Sequence, residues 1–171
     1  MRWFVFFIFA YVMLGAQIGV GDQLRVGGAG VNFVVLAVVF ICLNTSREAA
    51  LSAALILGLL QDLATSTTAP GLHGFAYSVV GLFIVRANRQ VYPDHPLTHF
   101  FVCGLAQCLV AATIFGHSYL RPPEGMTHVA AWPLAGSAIY TAAIAPIVLG
   151  LLSRGKALFG FNPVKRRVRS Y

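Results

Sequence analysis

Polar residues along this chain gather into five short clusters, and the stretches between them are almost continuously apolar. The clusters read "GVGDQLRVGGAG", "NTSRE", "TSTTAPG", "NRQVYPDHP" and "RPPEG", each rich in the Gly, Pro, Asn, Asp and Ser that punctuate helices. They separate six apolar segments, roughly Trp3–Val20, Gly28–Leu43, Glu48–Leu63, Gly74–Val85, Leu97–Phe115 and Trp132–Leu152. A helix that crosses a bilayer needs about 20 residues. The first, fifth and sixth segments meet that length. The second, third and fourth are short and must borrow flanking residues, tilt little or thin the bilayer. Spanning strands would alternate apolar and polar positions, which these runs do not. The pattern predicts an all-α membrane protein of six transmembrane helices.

Composition points the same way. Hydrophobic residues make up 58% of the 171 positions and charged residues 10%, against about 25% charged in a soluble domain. No repeat or linker divides the chain. We read 1–153 as one transmembrane domain and 154–171 as a basic cytoplasmic tail. The N-terminal run loosely resembles a secretory signal, but it is long enough to span and lacks a clear cleavage motif, so it is expected to stay as the first helix.

The net charge of +7 is chiefly a topology signal. Lys and Arg favour cytoplasmic loops. With the N-terminus inside, the inner set is Arg2, Arg47, Arg86, Arg89, Arg154, Lys156, Lys165, Arg166, Arg167 and Arg169, and the outer set is Arg25 and Arg121. Six spans therefore put both termini in the cytoplasm. The basic residues sit at helix ends and not on one folded face, so nucleic acid is not an expected partner. Lys165, Arg166, Arg167 and Arg169 are expected to touch anionic lipid, with Phe159 and Phe161 at the interface. Trp3 and Trp132 stand at segment starts, as interfacial anchors do.

One acidic residue is out of place. Only five Asp and Glu occur, and Asp62 ends an otherwise apolar segment. Ala50, Ala54, Gly58 and Asp62 recur every four residues, along one helix face. Small residues in such a stripe let helices approach closely in lipid. Gly74, Ser78 and Gly81 make a similar stripe, as do Gly104, Cys108 and Ala112, and Ser137, Thr141 and Ala145. Fifteen residues beyond Arg47, Asp62 has risen about 22 Å through a core of about 30 Å. An unpaired carboxylate there is costly, and the C-terminal end of its own helix disfavours negative charge. Partners are expected among Thr65, Ser66, Thr67, Thr68, His73 and Tyr77. A structural tie between the third and fourth helices and a coupling site facing the outer leaflet both fit. A relay is a poorer fit, lacking a second intramembrane charge.

"GLLQDL" followed by "PGLHGFAYSVVGLF" resembles the MreD family of bacterial rod-shape-determining membrane proteins. Gly58, Leu59, Asp62, Gly71 and Leu72 occupy the places of the family's G-L-x-x-D helix and the glycine that closes its polar turn. Where many relatives have Leu before that glycine, this chain has Pro70. Gly58, Asp62, Pro70 and Gly71, together with the candidate partners His73 and Tyr77, are expected to form a structural or partner-coupling motif. The resemblance implies a non-catalytic scaffold of the cell-elongation complex in the bacterial inner membrane, helping to organise side-wall peptidoglycan synthesis. The implied partners are membrane lipids, an MreC-like single-span protein and, indirectly, MreB, RodA and a class B penicillin-binding protein, with a homo-oligomer left open. It also implies a fold like the substrate-binding subunits of energy-coupling-factor transporters.

That makes a vitamin-transporter subunit the alternative. Such subunits commonly dock through A-x-x-x-A on the first helix. Here Ala10 is followed at that spacing by Leu14, and Ala16 by Val20. Outer residues Asp22, Gln23, Arg25, His117, Tyr119, Arg121, Glu124 and His128 leave room for a ligand. For an enzyme, the sequence offers no H-E-x-x-H, nucleophile elbow or paired carboxylates. His95 and His99 have metal-compatible spacing but read as a pair at the start of a helix. Cys42, Cys103 and Cys108 read as buried packing residues. No catalytic residue, metal or cofactor is expected. Pro146 interrupts the sixth segment, where it removes a backbone donor.

Overall fold

The computed structural model describes residues 3–21, 23–25, 27–65, 69–87, 96–120 and 131–155. Six helices follow one another: α1 Trp3–Gly19, α2 Phe33–Asn44, α3 Arg47–Ala64, α4 Leu72–Ala87, α5 Pro96–Leu120 and α6 Ala131–Arg154. Of the expected tail 154–171, Arg154 is the last residue of α6; the residues from Lys156 onward, including Lys165, Arg166, Arg167 and Arg169, lie outside the described residues, as do Ser66–Thr68 and His95.

The largest departure from the sequence reading is α2. The apolar segment was expected to be helical from Gly28, yet the helix starts at Phe33 and runs 12 residues. Gly27 and Gly28 have φ of 60° and 85°, a left-handed conformation that suits glycine and ends a helix. At 1.5 Å per residue α2 is about 18 Å long, well short of a bilayer core. It need not meet lipid, because it is the centre of the bundle. Every residue from Val34 to Leu43 is buried, and α2 packs against all five other helices. A helix apolar on every side belongs in such a position.

The other helices surround it. α3 packs most closely with α4, and α5 with α6. Contacts between helix ends show that the helices alternate in direction. Gln17, near the end of α1, bonds Phe33 at the start of α2. Asp62, near the end of α3, bonds the start of α4. Trp132 and Pro133, opening α6, lie beside Gly27 and Gly28. At the opposite end Leu43, Ala87 and Phe101 line one groove. An even number of alternating helices brings Trp3 and Arg154 to the same end.

Outside α2 much of the surface is apolar, with charged residues exposed at helix ends such as Arg47, Glu48, Arg86 and Arg154. Phe4, Tyr11, Leu63, Phe75, Phe101, Trp132, Ile147 and Leu151 are each more than half exposed. Soluble monomers rarely show contiguous apolar patches beyond a few hundred Å². α5 and α6 are long and apolar enough to cross a membrane.

The small-residue stripes fare unevenly. Ala50, Ala54 and Gly58 are buried, as are Gly74, Gly81, Thr141 and Ala145. On α5 the expected stripe is corrected: Cys108 and Ala112 are exposed, and the buried line is Cys103, Ala106, Gln107 and Val110. Cys108 therefore departs from the expectation of three buried thiols, whereas Cys42 and Cys103 are buried. α5 meets α6 through Gly104, where a Cβ would stand 3.2 Å from that of Ala142, and its outer face is left to the surroundings.

Candidate functional site

The site is built where α3 turns back into α4. Leu72 N–H donates to Ala69 C=O at 3.2 Å, and Gly71 has φ +89°. A four-residue turn with Pro second and a positive-φ Gly third is the type II pattern. Pro70 supplies the fixed φ and Gly71 the left-handed residue. The α4 N-terminus thus arrives directly after the turn, beside the α3 surface.

Gly58 sets the distance. A Cβ on Gly58 would lie 2.5 Å from Gly74 Cα and 2.6 Å from the His73 carbonyl oxygen. No side chain larger than hydrogen fits, so the two backbones touch. One helical turn further along α3, on the same face, stands Asp62. Its carboxylate therefore reaches the first turn of α4. The Oδ1 atom accepts the His73 backbone N–H at 3.0 Å, and Oδ2 accepts the Gly74 N–H at 3.0 Å. The His73 ring nitrogen Nδ1 is 2.9 Å from Oδ1. A carboxylate only accepts, so with Asp62 ionised that nitrogen carries the hydrogen.

This is an N-cap supplied from another helix. The first N–H groups of a helix lack partners within it, and its N-terminus carries partial positive charge. Asp62 satisfies two of those groups and adds a side-chain bond. Its own side chain is 4% exposed. The unfavourable C-terminus of α3 is thereby offset by the favourable N-terminus of α4. Thr65, an expected partner, instead donates its hydroxyl to the Gln61 carbonyl. Tyr77 is also turned elsewhere. Its ring meets His73 edge-on, with centroids 5.8 Å apart, and its hydroxyl accepts from Asn32 Nδ2 at 3.4 Å.

Asn32 opens a second polar node that sequence reasoning missed. Its Oδ1 accepts from Val35 N–H at 3.0 Å and caps α2. Its backbone N–H donates to Thr141 Oγ1 of α6 at 3.0 Å, while Phe33 N–H donates to Gln17 Oε1 of α1 at 2.7 Å. Four helices are tied together at the half-buried start of α2. The signal was present as an Asn immediately before "FVVLAVVF", which is how a helix start reads. Gln107 of α5 donates to Ser137 of α6 at 3.0 Å. Among the described residues no group of three His, Cys, Asp or Glu could hold a metal ion.

Two grooves open on the surface formed by the described residues. One, of about 220 Å³, is lined by Leu43, Phe83, Ile84, Ala87, Phe101, Val102 and Leu105. The other lies between α5 and α6 at Cys108, Ala112, Phe115, Leu134 and Ala138. Both linings are apolar, and neither touches the Asp62 cluster.

Fold and site together define a small helical bundle with an apolar exterior, whose buried carboxylate serves its own backbone. The family model of the rod shape-determining protein MreD matches residues 1–154, a span that takes in all six helices. The chain belongs to the MreD family, a family of membrane proteins with a role in rod shape determination. The comparisons with curated proteins and with solved structures give no match, so the expected likeness to energy-coupling-factor subunits gains no support.

Proposed function

We propose that this protein is a non-catalytic scaffold of the cell-elongation machinery. In this reading it crosses the bacterial inner membrane six times with both termini in the cytoplasm. It retains an MreC-like single-span partner and, through it, helps to position MreB, RodA and a class B penicillin-binding protein for side-wall peptidoglycan synthesis.

The observation that carries the reading is the engagement of Asp62 within a bundle whose whole helical extent matches the family. Both carboxylate oxygens bond to the start of α4, which makes the residue a fastener of backbone and a poor ligand group. The alternative, a vitamin-binding subunit, requires converging polar groups in a pocket, and the two grooves are apolar. The family's role and the alternating helices also suit a protein that joins a cytoplasmic filament to a periplasmic partner.

The test is co-purification. The tagged full chain is extracted in mild detergent from cells expressing a tagged MreC-like protein encoded in the same genome. Near-stoichiometric recovery of that partner is expected. Recovery no greater than that of an unrelated single-span control would overturn the proposal.

A further inference from the structure

We infer that the groove between α4 and α5 holds an acyl chain of an anionic phospholipid, with Arg86 at its headgroup. Its lining is wholly hydrocarbon, drawn from the last turns of α2 and α4 and the first turns of α5. At about 220 Å³ it is smaller than a typical small-molecule site. A helix about 10 Å across does not fit, whereas a flexible chain lying against Phe83 and Phe101 does.

Arg86 decides the headgroup. It is exposed in the last turn of α4, next to Ala87 and three residues from Phe83, both of which line the groove. Residues three apart on a helix are neighbours. Among the described residues Arg86 has no acidic partner, and Asp62 is engaged with His73 at the other end of the bundle. An arginine at a helix end can extend along the apolar surface and leave its guanidinium at the membrane interface. There it meets phosphate, whose geometry the guanidinium matches. The inference rests on the membrane-embedded reading above and is independent of any protein partner.

The full chain, reconstituted without partners in symmetric vesicles, is exposed to phosphatidylglycerol carrying a photoactivatable acyl chain. Phosphatidylcholine with the same chain is the comparison, and cross-linked peptides are mapped by mass spectrometry. Adducts at Phe83, Ala87, Phe101 and Leu105 should be about fivefold more frequent with phosphatidylglycerol, the ratio set by one basic side chain near an anionic surface. Arg86→Gln, on the exposed surface, should remove that preference while leaving labelling of the α5/α6 groove unchanged. Ala87→Trp should fill the groove and reduce labelling by both lipids. Equal labelling by the two headgroups, adducts spread evenly over α1, α3 and α6, or an unchanged preference in Arg86→Gln would each overturn the inference. Symmetric vesicles make the result independent of orientation, and partner co-purification is a separate readout, so this inference and the scaffold proposal can fail separately.

Discussion

Asp62 brings a charge into a place poor in water, and its three bonds to His73 and Gly74 make that tolerable. Replacing it with Leu would strand two N–H groups and a buried ring nitrogen, with a cost of about 1–3 kcal/mol for each group left unsatisfied. Asp62→Asn keeps one acceptor but turns an amide N–H₂ towards a donor. A milder loss of about 1–3 kcal/mol is expected. Thermal unfolding in detergent should rank the proteins wild type, Asn, Leu; a Leu variant as stable as wild type would show that the cap is not needed. Gly58 supplies a second test. Gly58→Ala must push α3 away from α4 and should destabilise by about 1–3 kcal/mol. Gly150→Ala, where a Cβ meets nothing within 4 Å, should be neutral or mildly stabilising. Equal melting temperatures for the two variants would contradict the close approach.

At the scale of elements, the sequence marked all six helices, because long apolar runs and Gly/Pro punctuation are local signals. Ends were less legible. α5 extends to Leu120, beyond the expected Phe115; Gly116 is carried inside the helix, where a glycine costs only about 1 kcal/mol and does not end it. α2 begins late because Gly27 and Gly28 before it adopt positive φ, which a helix does not continue through. Hydrophobicity does not report that choice. The α3–α4 motif was readable because Gly58 and Asp62 fall one turn apart on one helix. Which donors Asp62 would find depended on a turn that delivers backbone N–H groups, and backbone groups carry no sequence letter. The Asn32 node was hidden for a related reason: its partners, Gln17, Tyr77 and Thr141, lie far apart along the chain. Asn32→Leu removes both the α2 cap and the bond to Tyr77. A loss of at least about 1 kcal/mol is expected, with faster amide exchange at the start of α2. Unchanged protection at Val35 would contradict the assignment.

At the scale of the whole molecule, an apolar outside surrounds an inside that is also apolar and is stitched by a few polar bonds, unlike the polar-surfaced arrangement of a soluble domain. α2 is shielded by five neighbours and contributes stability without facing lipid, so its short length is no obstacle to a membrane bundle. In a membrane, non-helical backbone such as that before α2 is tolerated where it packs against protein and is hydrogen-bonded, as Asn32 and Phe33 are. The alternation of helix directions puts the two ends of the described chain together, and in the proposed scaffold the charge bias would place that end in the cytoplasm. The scaffold reading depends on that assignment. Single cysteines at Arg25, Ser46, Pro70 and Arg154, all exposed, in a background with Cys42, Cys103 and Cys108 replaced, test it most directly. In intact spheroplasts an impermeant thiol reagent should label Arg25→Cys and Pro70→Cys, and should reach Ser46→Cys and Arg154→Cys only after permeabilisation. Labelling of Arg154→Cys from outside, or protection of both Arg25→Cys and Pro70→Cys until the membrane is opened, would contradict the six-span bundle with cytoplasmic termini.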